Sequence, residues 1–412
     1  MKSLISVLVA IPLFHICSCK GKQLVPTPSA ERRMAAAAKA IAALQAARFD
    51  QAGEEAKLVL DQDRRNPQAL VVWAISHYKK TMHNLVQDLR TSLAGMFEAQ
   101  TINHRYIQWS LTQADQELYK VEEALAQVSE QPSFFLQLCL ACWQYDWNHN
   151  GQIDQQDLLL FQVELDAQGE PIPKDDARRK PTFRFDPGDI FWARAMLSFQ
   201  RAFLNLLLAY QLPEMNELLT LGQNGTVKIK LVKKPRVHQA KELILAGLEN
   251  ADRARREYLD EKDDQGEWLP NPTQKNHPLP LPVDETLYQT WKDVLNDLLQ
   301  LLKGEVGISV AEVAQLGDHQ WKDPPRGYIH VAKLFEDPGD ITLDLTHLRK
   351  LNWDRTRQDV ERVLQDIFGD KYVREIKMKP TLLISRLKRM KNEVERGEES
   401  LERKLRYLLW IN

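Results

Sequence analysis

The sequence predicts a mainly α-helical fold, on three observations. Residues 31–130 are rich in Ala, Leu, Gln and Glu and almost free of proline. Apolar residues recur through that stretch, and again at 238–259 and 284–302, at steps of three and four, the period of a helix with one buried face. Only two short segments, 226–232 and 328–334, alternate in the manner of strands. The expectation is a start built of helical hairpins, an α-rich remainder, and at most a small β hairpin.

The helices follow in chain order. Met34, Ala38, Ile41 and Leu44 make a first stripe, Ala52, Ala56 and Val59 a second, and Val71, Ala74, Ile75 and Tyr78 a third. Leu111, Ala114, Leu118, Val121, Leu125 and Val128 form the most regular one. The run 191–212 is apolar all round except for Arg194 and Arg201, which suits a central helix rather than a membrane span. Asp284 is an N-cap for a helix with Leu287, Trp291, Val294, Leu298 and Leu302 on one face. Asp-Pro-Gly-Asp-Ile occurs at 186–190 and again at 337–341, and its residue order is that of a helix start. The prolines at 270, 272, 278, 280 and 282 require an extended connection. Leu383, Leu387, Met390 and Val394, then Leu401, Leu405 and Leu408, predict a closing helix that docks on the protein core.

With 412 residues, 43% of them hydrophobic and 27% charged, the chain is ordinary globular material able to bury a large core. Its 55 basic and 57 acidic side chains leave a net charge of −2, so no basic excess points to nucleic acid. Four cysteines are too few for a disulfide scaffold.

The N-terminus carries an address. Lys2 precedes an apolar run from Leu4 to Ile16, too short to span a bilayer, and Ile16-Cys17-Ser18-Cys19 follows. This resembles the bacterial lipoprotein signal, with a branched residue at −3 and a small one at −1. The resemblance implies cleavage after Ser18 and acylation of Cys19; Cys17, with Ile16 before it, is the rival. Lys20 in the following position favours the outer membrane by the same analogy. Residues 19–31, with Pro26 and Pro28, read as a tether.

Two further resemblances mark the body. Ala46-Ala47-Arg48-Phe49-Asp50-Gln51-Ala52, followed by Asn66-Pro67, is similar to a tetratricopeptide repeat over about 50 residues, although a generic helical hairpin satisfies the same pattern. The segment 146–157 resembles the EF-hand calcium loop. Oxygen-bearing side chains fall at its positions 1, 3, 5, 9 and 12, Gly151 at the sixth and Ile153 at the eighth. The resemblance implies Asp146, Asn148, Asn150, Asp154 and Asp157 as calcium ligands, with Gln152 giving its backbone carbonyl. It also implies a helix over 133–145 leading in and one from Leu158 leading out. Three carboxylates and a short Asp at the last position suggest weak binding, on the order of 10⁻⁴ to 10⁻³ M. An Asx turn with Asp154 and Asp157 in a capping box accounts for part of the same pattern. The acidic run 260–267 fits no EF-hand register. It reads as a solvated loop or as an irregular cation site using Asp260, Asp263, Asp264 and Glu267.

Cys139 and Cys142, set among apolar residues without a second cysteine pair, are expected to be buried thiols, with a local disulfide as the alternative. No H-E-x-x-H, G-x-S-x-G or phosphate-binding glycine motif occurs. The sequence therefore divides as signal (1–18), tether (19–31), tetratricopeptide-like region (32–130), EF-hand-like unit (131–165) and α-rich C-terminal part (166–412). It reads as a lipid-anchored bacterial envelope protein facing the periplasm, a non-enzymatic scaffold for another envelope protein with a weak structural calcium site. The alternative is a periplasmic enzyme or polymer-binding module using the loop 260–267 and a cleft near Trp268.

Overall fold

The computed structural model describes residues 28–99, 103–131, 134–147, 151–159, 161–166, 170–211, 213, 226–275, 277, 284–314, 327–344, 373–374 and 378–386. The segment read as a signal, with Cys17 and Cys19, most of the expected tether, Asn148, Asn150, the prolines at 278, 280 and 282, and the closing helix expected beyond residue 386 lie outside the described residues. No described helix is long and apolar enough to cross a membrane.

The fold is mainly α with small sheets. Four helices open it: α1 (Pro28–Gln45), α2 (Phe49–Gln62), α3 (Pro67–Ala99) and α4 (His104–Ser129). Each junction has a local cause. Ala47 takes a left-handed backbone (φ 55°) that turns α1 into α2, and Arg48 N–H donates back to Ala43 O at 2.9 Å. Asn66 caps α3, accepting from Ala69 N–H at 3.0 Å ahead of Pro67 at the first helical position, and its amide donates to Arg33 O on α1. Asn103 caps α4 in the same way.

Small residues let these helices approach closely: Ala37, Ala40, Ala43, Ala52 and Ala56 are buried. The first stripe is rotated from its expected position, with Ala38 exposed and Met34 and Ile41 half-buried while Leu44 stays in the core. In an alanine-rich helix several faces are apolar, so periodicity does not single out the one that packs. In α4, where polar residues mark the outer face, all six expected positions are buried.

After α4 come β1 (Leu136–Leu138), a 3-10 turn at Leu140–Cys142, and the short α5 (Gln155–Leu159). The helix expected over 133–145 is thus replaced by a strand and a turn. Leu136 and Leu138 face the core while Gln137 faces solvent, and β1 pairs antiparallel with β2 (Phe183–Phe185). An apolar run of that length satisfies either period, and pairing with a strand nearly fifty residues later decided it. Cys139 and Cys142 are joined in a disulfide, not buried as free thiols in a helix.

The centre is α6 (Pro187–Ala209), packed between α4 and α7 (Lys234–Asp260). It is buried on nearly every side, as its composition predicts. Arg201 in its interior is neutralised by Asp115 (3.1 Å) and Glu122 (2.5 Å) of α4, and Arg236 of α7 adds a second contact to Asp115 (3.1 Å). Gly247 lets α7 lie against Phe199: a Cβ there would come within 2.4 Å of its ring.

The remaining elements are smaller. Helix α8 (Glu285–Lys303) starts at Asp284, which accepts from Leu287 N–H at 2.8 Å, and ends at left-handed Gly304. Strand β3 (Thr226–Ile229) precedes α7 in the chain. Beyond α8 come β4 (Val306–Ser309), α9 (Val310–Ala314), β5 (Tyr328–Ile329), α10 (Val331–Glu336), β6 (Ile341–Asp344), β7 (Val373–Arg374) and β8 (Lys379–Pro380). Strand β3 pairs with β6, while β7-β5-β4-β8 form a separate sheet. The two strand-like segments of the sequence therefore do not pair with each other. The second gives only β5 before turning into α10, which buries Ala332 completely.

One buried cluster runs from Ala37 to Trp291, joining the opening helices, the 134–172 segment, α6, α7 and α8.

Candidate functional site

The EF-hand-like segment forms a tight loop around its own amides. Gly151 adopts φ 88°, and its N–H donates to Asp146 Oδ2 at 2.7 Å, so the ends of the first half are drawn together. Asp157 is buried, and both its oxygens accept backbone hydrogens: Oδ1 from Trp147 N–H and Oδ2 from Asp154 N–H, each at 2.9 Å. Asp154 in turn accepts from Asp157 N–H at 3.4 Å. This reciprocal pair is the capping box of α5. Gln152 is exposed, and Ile153, at the eighth position, is 51% exposed. The Trp147 ring anchors the loop on Phe161 (5.1 Å) and Tyr145 (5.0 Å), with the Lys79 ammonium 4.2 Å above it.

A second group of acids shares only Glu267 with the cation site considered in the sequence. Among the described residues, Asp186, Glu261 and Glu267 are three buried carboxylates whose oxygens lie within 4.8 Å of one another; Asp146, Asp154 and Asp157 do not converge in this way. Each is delivered by a different constraint. Asp186 is the N-cap of α6, fixed by a full capping box: its Oδ1 accepts from Gly188 N–H (2.8 Å), and its own N–H donates to Asp189 (2.9 Å). Glu261 ends α7. Glu267 is drawn inward by the residues after it, since Trp268 and Leu269 are 1% exposed and the Trp268 ring packs on Phe183 at 4.6 Å.

A polar frame holds the returning chain. Asn271 donates to the carbonyls of Tyr258 and Glu261, both at 3.2 Å. Gln274 donates to Glu261 Oε2 at 3.3 Å and to Asp263 O at 2.7 Å. Arg184 pairs with Asp263 at 3.2 Å, which places a fourth acid at the margin with its charge balanced.

Burial and like charge act on two of these carboxyls. Removal from water pushes the Glu261 carboxyl up to about 12, with the charges of Asp186, Glu267 and Asp263 adding to the effect. The same burial, followed by the Asp186 charge, raises Glu267 to about 8. Glu267 Oε2 is buried without a hydrogen-bond partner, while Oε1 accepts from Gln265 N–H at 3.2 Å. Three ionised carboxylates at this spacing in a dry interior repel one another strongly, so the cluster must carry protons or a cation. An all-oxygen donor set suits a hard divalent ion such as calcium or magnesium.

Of the acids considered for a cation site in 260–267, only Glu267 belongs to this group. Asp260 and Asp264 are exposed and Asp263 is paired, while Glu261 and Asp186 complete it. The signal for Glu267 was its place beside apolar Trp268 and Leu269; nothing local marks Glu261, which stands between Asp260 and Lys262, or Asp186 beyond its capping role. Trp268, near which the alternative reading set a cleft, is itself packed in the core. No protein-family model matches the chain, and no curated protein or solved structure is significantly similar to it.

Proposed function

We infer that this chain is a lipid-anchored envelope scaffold, non-enzymatic, whose helical body is fastened by a divalent cation. The observation that carries the fastening is the buried group Asp186, Glu261 and Glu267, at the point where the start of α6, the end of α7 and the following loop meet. A cation there would replace proton binding and tie segments far apart in sequence. It would supply charge neutralisation, and Asp186, Glu261 and Glu267 would hold it. The anchor rests on the Ile16-Cys17-Ser18-Cys19 resemblance, and the partner-binding role on the close-packed opening helices. Calcium at 146–157 remains a second, weaker cation position in this reading, with Asp146, Asn148, Asn150, Asp154, Asp157 and the Gln152 carbonyl as its ligands.

The test is capture of the protein from gently solubilised envelopes, in millimolar calcium and in chelator, with metal analysis of the washed protein. The expected result is a stoichiometric bound ion and an envelope partner that is lost in chelator. Metal-free protein with no partner in either buffer would overturn the proposal.

A further inference from the structure

A separate cavity of about 170 Å³ lies between α3, α4, α6 and the 136–143 segment. Its walls are almost wholly apolar, with Val71, Val121, Leu136, Trp192 and Met196 among them. Cavities of about 150 Å³ lined in this way stay dry and accept a body the size of benzene. This one differs by having polar atoms at defined points. Lys79 reaches it from α3, and among the described residues its ammonium has no carboxylate partner, only the face of Trp147 at 4.2 Å. Trp143 Nε1 and Gln200 Oε1, both from lining residues, are buried without hydrogen-bond partners. Gln200 is held in place by its amide, which donates to the Tyr78 hydroxyl at 2.9 Å.

We propose that this cavity binds a small amphiphilic carboxylate, with the hydrocarbon body between the apolar walls and the head group on the Lys79 ammonium and the Trp143 indole N–H. The chemistry selects charge as well as shape. An unpartnered donor and an unpartnered cation in an apolar enclosure are costly, and one anionic acceptor satisfies both. Asp189, the carboxylate in the lining, accepts from the Asp186 amide in the capping box and makes no ion pair with Lys79. Burial alone lowers the Lys79 pKa, to about 8, which leaves the amine protonated at neutral pH and in want of a counter-ion. The volume sets the class: one ring or a medium-length alkyl chain rather than a two-chain lipid.

Calorimetric titration of the full chain at pH 7 with octanoate, octan-1-ol and octylammonium tests this. Octanoate should bind one per chain, tenfold or more tighter than octanol, and quench tryptophan emission, while octylammonium should not bind. Lys79→Met, which removes a buried charge and preserves the stem, should abolish the preference for octanoate and keep octanol binding. Ala193→Leu, which narrows the cavity, should weaken both ligands at unchanged helical content. No saturable octanoate binding, an unchanged preference in Lys79→Met, or tighter binding of octylammonium would overturn the proposal.

Discussion

The two acidic regions of this molecule use the same atoms in opposite ways. In the loop 146–157 the carboxylates are close in sequence, partly open to solvent, and answered by backbone N–H groups of the same loop. At Asp186, Glu261 and Glu267 two acids from one short stretch meet a third from the distant start of α6, and all three are buried at a spacing where like charge opposes like charge. The first arrangement is locally complete, because a capping box and a glycine turn satisfy it. The second is locally incomplete and needs something from outside the chain, a proton or an ion. Acid content therefore does not rank the two regions as cation sites; what matters is how many oxygens the backbone has already claimed.

The largest way to break this contrast is through Gly188. A Cβ there would lie 2.3 Å from the Tyr258 ring, so Gly188→Ala should push α6 from α7 and dismantle the buried cluster. The expected loss is about 3 kcal/mol, at the upper end for overpacking, read as a lower urea midpoint, with the loop intact. Next comes the ion. In a hundredfold excess over its dissociation constant a divalent cation should stabilise the wild type by about 2.7 kcal/mol relative to chelator. Glu261→Gln should lose most of that increment, while Asp154→Ala keeps it. Equal increments in all three proteins, measured by thermal unfolding, would remove the buried cluster as the cation position.

Acidity sharpens the contrast further. Glu267 holds its proton up to about 8 in the folded chain, against an ordinary value of 4.5. Below 4.5 both states are protonated. Above it the unfolded chain releases the proton while the folded chain keeps it, so stability falls by up to about 1.4 kcal/mol per pH unit until pH reaches about 8. In chelator Tm should therefore drop from pH 5 to pH 8, less steeply in Glu267→Gln, and added cation should recover more at pH 8 than at pH 5. The smallest effect belongs to the loop: Asp154→Ala removes a cap and should cost about 1 kcal/mol in chelator. Any larger cost in calcium than in chelator would measure what the weaker calcium position in the loop contributes.

What was legible in the sequence follows the same division between local and distant causes. Helix starts at Asp284 and Asp186 and the α4 stripe were readable because neighbouring residues determine them. The helix expected before the loop was not, since Leu136 and Leu138 belong to β1 only through their pairing with Phe185 and Phe183. The repeated pentapeptide makes the point with identical residues. At 186–190 it opens α6; at 337–341 its first Asp follows the end of α10 and its Ile begins β6, because Ile341 pairs with Ile229 and Asp340 accepts from Leu231 N–H. The loop 146–157 was found by spacing alone. The buried cluster has no spacing to find.

The pairing of Arg184 with Asp263 spans 79 residues and has a kinetic consequence. Contacts so far apart form only after the intervening chain has been closed into a loop, and closing this one brings the acids around it together against their own repulsion. A proton or ion that settles among Asp186, Glu261 and Glu267 therefore acts on the last stage of assembly. Its withdrawal should lengthen the time the chain spends half-folded, with α7 formed and its end not yet docked.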